Sequence, residues 1–324
     1  MTFVEPGGCV AVTGATGFVG QTLVEHLVAS GFEVIGISEH PEPPPRISRL
    51  LRQYICADLT RGWPDMRPVH GLVHLAGLAA VQPSFGRPQD YLNINSSIVT
   101  HLFEHALRAG WAGRALIVSS GAVYGSVTAS DQLGFVENSP TAATSPYVVS
   151  KLLVEIQAEY YGRQGIDAMV VRPFNHIGPG QGPGFIIPDL KAKVVDWQPG
   201  TAITVGNLDS SRDYTDVRDI VRAYRLLLEK CDPRHRTYNV CSGSAHSGHE
   251  VLEAVCTVLR RPIPPTNAVA DRAIDPHVIT GNAQRLRLET GWEPTITLQQ
   301  SIRDFVNYER ARSESPCQDL PIPR

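Results

Sequence analysis

A strand, a glycine turn and a helix open this chain, and together they leave few folds available. Cys9-Val10-Ala11-Val12 is a continuous apolar run, and Val19, Leu23 and Leu27 recur at four-residue spacing, the stripe of an amphipathic helix. Between them lies Thr13-Gly14-Ala15-Thr16-Gly17-Phe18-Val19-Gly20. Glycines let the backbone turn tightly and approach a pyrophosphate, whose charge the helix N-terminus favours. Glycine turns also arise for packing alone. Placement directly after a strand and before such a helix makes this one a dinucleotide loop. Its spacing, Gly-x-x-Gly-x-x-Gly, differs from the Gly-x-Gly-x-x-Gly of many dehydrogenases.

The same alternation continues. Val34-Ile35-Gly36-Ile37, Leu72-Val73-His74-Leu75 and Ala115-Leu116-Ile117-Val118 read as strands, with the helical stripe Ile94, Ile98, Leu102 before the last. Ala168-Met169-Val170-Val171 and Tyr238-Asn239-Val240 add two more. Apolar strands separated by helices imply a parallel sheet covered on both faces, so the fold class is α/β: a Rossmann-like doubly wound sheet with a smaller interleaved α/β lobe. Residues 1–175 are expected to form the NAD(P)-binding domain, with elements returning at about 214–242. Residues 176–324 are mainly the second lobe, announced by the cluster Gly178-Pro179-Gly180-Gln181-Gly182-Pro183-Gly184. Pro41 to Pro45 form a stiff loop.

Composition closes other routes. Lys+Arg 29 against Asp+Glu 32 gives no basic face for nucleic acid. No apolar stretch approaches the roughly 18 residues of a membrane span, and the N-terminus lacks a secretory pattern. A soluble, cytoplasmic protein is expected. The six cysteines are scattered without Cys-x-x-Cys, and Cys9 and Cys241 sit in strand-like runs as small buried hydrophobes. The eleven histidines form no ligand spacing, so no metal site is expected.

The acidic residue that takes the adenosine ribose in many NAD sites is replaced by Ser38 at the end of the second strand, with Glu39 next. A serine does not repel a 2′-phosphate, and Arg46 or Arg49 could bind one. This favours NADP(H) over NAD(H), with Glu39 the residue that would reach the ribose of NAD(H). Asp58-Leu59 and Leu75-Ala76-Gly77 extend the track toward the adenine and pyrophosphate, the first through a carboxylate, the second through small residues; ordinary turn and packing roles are the alternative for each.

Tyr147 and Lys151 stand four apart on one helix face. A phenol ionises near pH 10, and a nearby ammonium stabilises its anion, which suits it to proton transfer at a carbonyl or carbinol oxygen. Ser119 and Ser120 end the strand before, at the carboxyl edge where ligands bind in such sheets. Asn95, on the preceding helix, reads equally as a relay or a packing residue.

With these segments on view, the chain resembles the extended short-chain dehydrogenase/reductase family that modifies nucleotide sugars. TGATGFVG at 13–20, HLAG at 74–77, SSGAVYG at 119–125 and YVVSK at 147–151 carry the likeness, followed by RPFNHIGPGQ at 172–181, RDYTDVRD at 212–219, YNVCSG at 238–243 and TGWEP at 290–294. The resemblance implies a catalytic set of Ser120, Tyr147 and Lys151, with Lys151 also on the nicotinamide ribose. It implies cofactor contacts from Gly14, Thr16, Gly17, Phe18, Val19, Gly20, Ser38, Asp58, Leu59, Leu75, Ala76, Gly77, Asn95, Ser119 and Pro173. Ser120 and Gly121 would also contact the substrate, Asn175 the sugar diphosphate, and Arg212 and Arg272 its phosphates, for which a guanidinium fork is suited. A homodimer through the helices carrying Asn95 and Tyr147 is a family-level expectation.

Sugar 4,6-dehydratases of the family carry Asp-Glu where this chain has Gly121-Ala122, and neither of those residues transfers a proton. The segments at 172–181 and 238–243 resemble the branch of GDP-4-keto-6-deoxy-D-mannose reductases, which often carry Asp at the position of Ala122. The expected reaction is hydride reduction at C4 of a nucleotide-linked 4-keto-6-deoxyhexose, with Tyr147 as proton donor. A nucleotide-sugar 4-epimerase with tightly bound NAD uses the same residues; a non-catalytic NADP(H) sensor is the reading from another class. Base selectivity is expected from the Phe185–Val205 region and near Arg272.

Overall fold

The computed structural model describes residues 3–125, 134–230, 235–268 and 278–314. At its centre is a seven-stranded sheet in which every neighbouring pair is parallel. β1 (Cys9–Thr13) is buried at all five positions, with β2 (Glu33–Ser38) and then β3 (Gln53–Cys56) on one side. On its other side the order is β4 (Gly71–His74), β5 (Arg114–Val118), β6 (Asp167–Pro173) and β10 (Thr237–Val240). The chain thus winds outward from β1, returns to β4 and winds outward again. A crevice opens at that reversal, outside the carboxyl ends of β1 and β4.

Strand periodicity sorts the core. Val10 and Val12 face the helices α1 (Phe18–Ala29) and α7 (Val217–Glu229), whereas Cys9 and Ala11 face α4 (Pro88–Arg108) and α5 (Pro146–Gly162). Two short helices, α2 (Pro45–Ser48) and α3 (Val81–Ser84), fill connections. The elements read from the sequence are present in this sheet, and Cys9 and Cys241 are buried as expected.

A third apolar core lies among α6 (Ile186–Asp196), α8 (Gly248–Leu259) and α10 (Leu298–Glu314). Beside it β9 (Ser211–Asp216) pairs with β7 (Asn175–Ile177), β11 (Ala245–Ser247) and β13 (Val278–Ile279), and β8 (Ile203–Val205) pairs with β12 (Thr266–Ala268). Helix α9 (Gln284–Thr290) leads into the fully buried Trp292. Because α7 and β10 return to the large sheet between these pieces, the two layers are threaded through each other. Among the described residues, no helix is long and apolar enough to cross a membrane.

Candidate active site

The glycine loop is shaped by close backbone approach. Gly14 has φ +65°, and a Cβ there would lie 3.0 Å from Ala76 N. A Cβ on Gly20 would strike Gly14 O and sit 2.9 Å from the Ala15 backbone, so only glycine lets α1 start this near the loop. Thr13 Oγ1 accepts from Leu75 N and Ala76 N, each at 3.1 Å, and bonds His74 Nδ1 at 2.8 Å. That hydroxyl joins the ends of β1 and β4 beneath the crevice. The N-terminus of α1 begins at Gly17 without a side-chain cap or an acidic residue in its first turn. Uncapped amide donors and their dipole are free to meet an anion there. The loop therefore fits the pyrophosphate of a dinucleotide.

The flanking residues are placed as follows. Thr16 Oγ1 bonds Ser38 Oγ at 2.8 Å, pinning the loop to the end of β2. Asp58 is exposed, its Oδ1 taking Thr60 N and Oγ1, bonds that hold its carboxyl below the usual range. Leu59 is a core residue at 4% exposure, while Leu75 and Ala76 are half-buried and Gly77 is exposed. Of the two arginines read as phosphate ligands, Arg46 is otherwise engaged. Its fork grips both oxygens of Glu25 at 2.6 Å, whereas Arg49 is exposed. Asn95 is spent on the scaffold: Oδ1 accepts from Leu78 N at 2.8 Å, and Nδ2 donates to Leu78 O and Ser150 Oγ. It holds the β4 loop against α5, and the sequence offered packing as one of two readings.

Helix α5 is started by Ser145, whose hydroxyl accepts from Val148 N, with Pro146 in the first turn. This cap fixes Tyr147 at the mouth of the helix. The Tyr147 hydroxyl bonds the side chain of Ser120, whose Oγ also accepts from Ala122 N at 3.1 Å. One turn on, Lys151 Nζ donates to Val118 O at 2.9 Å and lies 5.9 Å from the centre of the Tyr147 ring. Ser120, just past the end of β5, thus comes together with Tyr147 and Lys151, the pair whose spacing set them on one helix face.

Their protonation differs in one respect from the expectation. Burial raises the Tyr147 phenol, and the Ser120 bond only partly offsets this. The same burial pulls Lys151 down to about 8, against the opposing charge of Glu155. The site therefore presents a protonated phenol beside a lysine that titrates near neutrality.

Phe174, 4% exposed, stacks beneath this edge, and a Cβ on Gly121 would lie 2.7 Å from its ring. Pro173 is buried at the end of β6. Asn175 is exposed at the start of β7, and Arg212 is half-buried on β9, with Nη1 donating to Ser211 O. Arg272 lies outside the described residues. A cavity of about 480 Å³ lined by Lys193, Asp196, Trp197 and Thr204 sits on α6 and β8. It falls in the stretch read for base selectivity, and Ser120, Tyr147 and Lys151 are not among its lining residues.

Three residues of the site escape the sequence reading. Glu155 and Arg172 form a buried ion pair behind Lys151. Asp213, 1% exposed, accepts from Ser242 N and Oγ, Gly243 N and Gly281 N, tying the strand of Arg212 to two loops. Glu155 had a signal, its position four past Lys151; the partners of Arg172 and Asp213 lie too far along the chain to be paired by spacing.

Comparison with known proteins decides the family. The model of the NAD dependent epimerase/dehydratase family matches residues 10–241. The chain belongs to this family. It is 34% identical over 301 residues to the GDP-6-deoxy-D-mannose reductase of Pseudomonas aeruginosa, covering 91% of this chain and 95% of that one. Among solved structures, RMD from Pseudomonas aeruginosa complexed with NADPH superposes with a TM-score of 0.78 at 30% identity, covering 94% of this chain and 99% of that one. The UDP-glucose 4-epimerase of Thermus thermophilus in complex with NAD gives 0.81 at 27% identity, covering 93% and 99%. As an epimerase/dehydratase family member the chain is an enzyme of the NAD(P)-binding Rossmann type.

Proposed function

We propose that the protein is an NAD(P)H-dependent reductase of the C4 ketone of a nucleotide-linked 4-keto-6-deoxyhexose, similar to the reductases of the GDP-linked mannose series. One observation carries this reading: a Gly121 position closed to any side chain by Phe174, beside a buried Tyr147 whose phenol faces Ser120. Dehydration across C5 and C6 needs an acid–base pair that Gly121 and Ala122 cannot supply. Reduction needs only a proton delivered to an oxygen.

A bound nicotinamide supplies the hydride in this chemistry. The chain's own work is at the substrate oxygen. Ser120 hydrogen-bonds it, and Tyr147 gives up its phenolic proton as negative charge develops there. Lys151 stabilises the resulting phenolate, which lets the phenol act well below its own ionisation range. Arg212 and Asn175 line the approach for the diphosphate; Arg272 completes the set in the sequence reading.

NADP(H) is the preferred donor in this proposal, because Ser38 sets no carboxylate against a 2′-phosphate. With Arg46 held by Glu25, Arg49 is, among the described residues, the cation left on that loop to meet the phosphate. The lobe built from 176–324, apart from the returning α7 and β10, selects the sugar and base. A cytoplasmic homodimer goes with this reading: Val149, Ile156 and Tyr160 are exposed along one face of α5, an apolar stripe suited to a second copy.

The likeness to a UDP-glucose 4-epimerase holding NAD favours a second reading, reversible oxidation and reduction at C4 with no net change in cofactor. NADPH oxidation measured with GDP-, dTDP- and UDP-linked 4-keto-6-deoxyhexoses separates them. Oxidation of NADPH matched by ketosugar consumed supports the reductase; no turnover across the panel overturns it.

A further inference from the structure

Behind Tyr147 and Lys151 runs a chain of buried polar groups that proton delivery does not itself require. Glu155 stands one turn past Lys151 on α5, and both of its oxygens are taken. Oε1 accepts from Ser119 Oγ at 2.5 Å and from Arg172 Nε at 2.9 Å, and Oε2 accepts from Arg172 Nη2 at 2.6 Å. Arg172 also donates through Nη1 to the Tyr124 hydroxyl at 2.8 Å, and that hydroxyl donates to Asn239 at 2.7 Å. The two charged side chains are 9% and 11% exposed.

A buried pair of this kind is poor grounds for stability, because the desolvation of both charges offsets their attraction. Its placement matters more. Ser119 adjoins Ser120, Glu155 shares a helix with Tyr147 and Lys151, and Arg172 belongs to β6, so a single carboxylate joins three elements behind the reacting groups. Lys151 in turn acts on two titratable side chains of neighbouring elements, His74 of β4 and His176 of β7. Burial holds them down to about 3 and about 4, so both are neutral. Tyr147 is protonated. Among the described residues, Glu155 is the anion whose charge supports the ammonium.

We propose that Glu155 is a positioning residue, which fixes the serine end of β5 against the Tyr147–Lys151 helix and supplies the negative charge that keeps the Lys151 ammonium in its pocket. The inference rests on the reading of Tyr147 and Lys151 as the reacting pair, yet it is testable without turnover. Lysine labelled with ¹³C at Cε gives a resonance for Lys151, assigned by its loss in Lys151→Met. In Glu155→Gln the titration midpoint of that resonance should fall by roughly one pH unit, the size expected for loss of one nearby opposite charge. Glu155→Asp, which keeps the charge, should restore most of it. An unmoved midpoint in Glu155→Gln, or equal midpoints in the Gln and Asp variants, overturns the proposal. If Glu155→Gln fails to fold, Arg172→Met decides: with the neutralising guanidinium gone, the carboxylate's charge acts on Lys151 unopposed, so the midpoint rises, and an unmoved one overturns the proposal. A normal midpoint shift in a protein inactive on every ketosugar would instead sink the reductase reading and leave this one standing.

Discussion

The Lys151 ammonium lies 5.9 Å from the centre of the Tyr147 ring and donates to the carbonyl of Val118, so helix α5 and the end of β5 meet at the two side chains proposed to handle the proton. The arrangement separates their duties. In the proposed mechanism the phenol delivers a proton, and Lys151 stabilises the phenolate left behind.

Tyr147→Phe removes the hydroxyl and leaves the ring packed edge-on against Tyr91. Turnover should fall by roughly 100- to 10,000-fold, the usual span for loss of a general acid. NADPH affinity, followed by nicotinamide fluorescence, should stay nearly unchanged. A comparable loss of cofactor binding would assign Tyr147 a binding role instead.

Lys151 also fixes a pH dependence. Its ammonium persists below about 8 and is lost above it, whereas an unburied lysine stays charged to 10.5. The rate should therefore drop on an alkaline limb near pH 8 that is absent from Lys151→Met, already slow throughout. For stability the sign runs the other way. The folded state holds fewer protons than the unfolded one between about 8 and 10.5, so this group's destabilising contribution is full below 8 and is relieved as pH rises through that window. Rate profiles and denaturant midpoints over pH 6–11 (roughly the span these two values bracket) check both directions.

Gly20→Ala sets a methyl group against Gly14 O and the Ala15 backbone, neither of which is a flexible side-chain end. Helix α1 must shift, at a cost of about 1–3 kcal/mol. NADPH affinity should weaken along with the melting temperature. Gly17→Ala, whose Cβ would lie 3.3 Å from one oxygen, should cost less.

Asp213→Asn tests the tie between β9 and the loops beside it. Four donors converge on a carboxylate with no hydrogens to offer, and an amide NH₂ must face at least one of them. A loss of about 1–3 kcal/mol is expected from chemical denaturation, and KM for the nucleotide sugar should rise more than kcat falls, because the neighbour displaced is Arg212.

Much of this was legible in the sequence, for a physical reason. The glycine loop, the strands of the large sheet and the Tyr147–Lys151 pair are local patterns, set by a glycine spacing, by continuous apolar runs and by a helical period of about four residues. The Arg46–Glu25 pair was not legible, because it forms only when α1 and α2 are packed together; read along the chain, Arg46 looked available to a phosphate. Burial was also invisible. Spacing brings the ammonium to the phenol, but only the folded environment reveals that burial raises the phenol, an effect the Ser120 bond offsets only in part. Glu155 and Asp213 belong to the same class, single acids whose partners come from strands and loops distant in sequence.

The most direct test of the central claim is NMR of the product formed from GDP-4-keto-6-deoxymannose and its dTDP- and UDP-linked counterparts with NADPH, alongside the amount of NADPH consumed. The expected result is a 6-deoxyhexose bearing a new C4 hydroxyl, formed in step with NADPH oxidation. Interconversion of UDP-sugars at C4 with tightly held NAD and no net oxidation, or no product from any of the three, would contradict it.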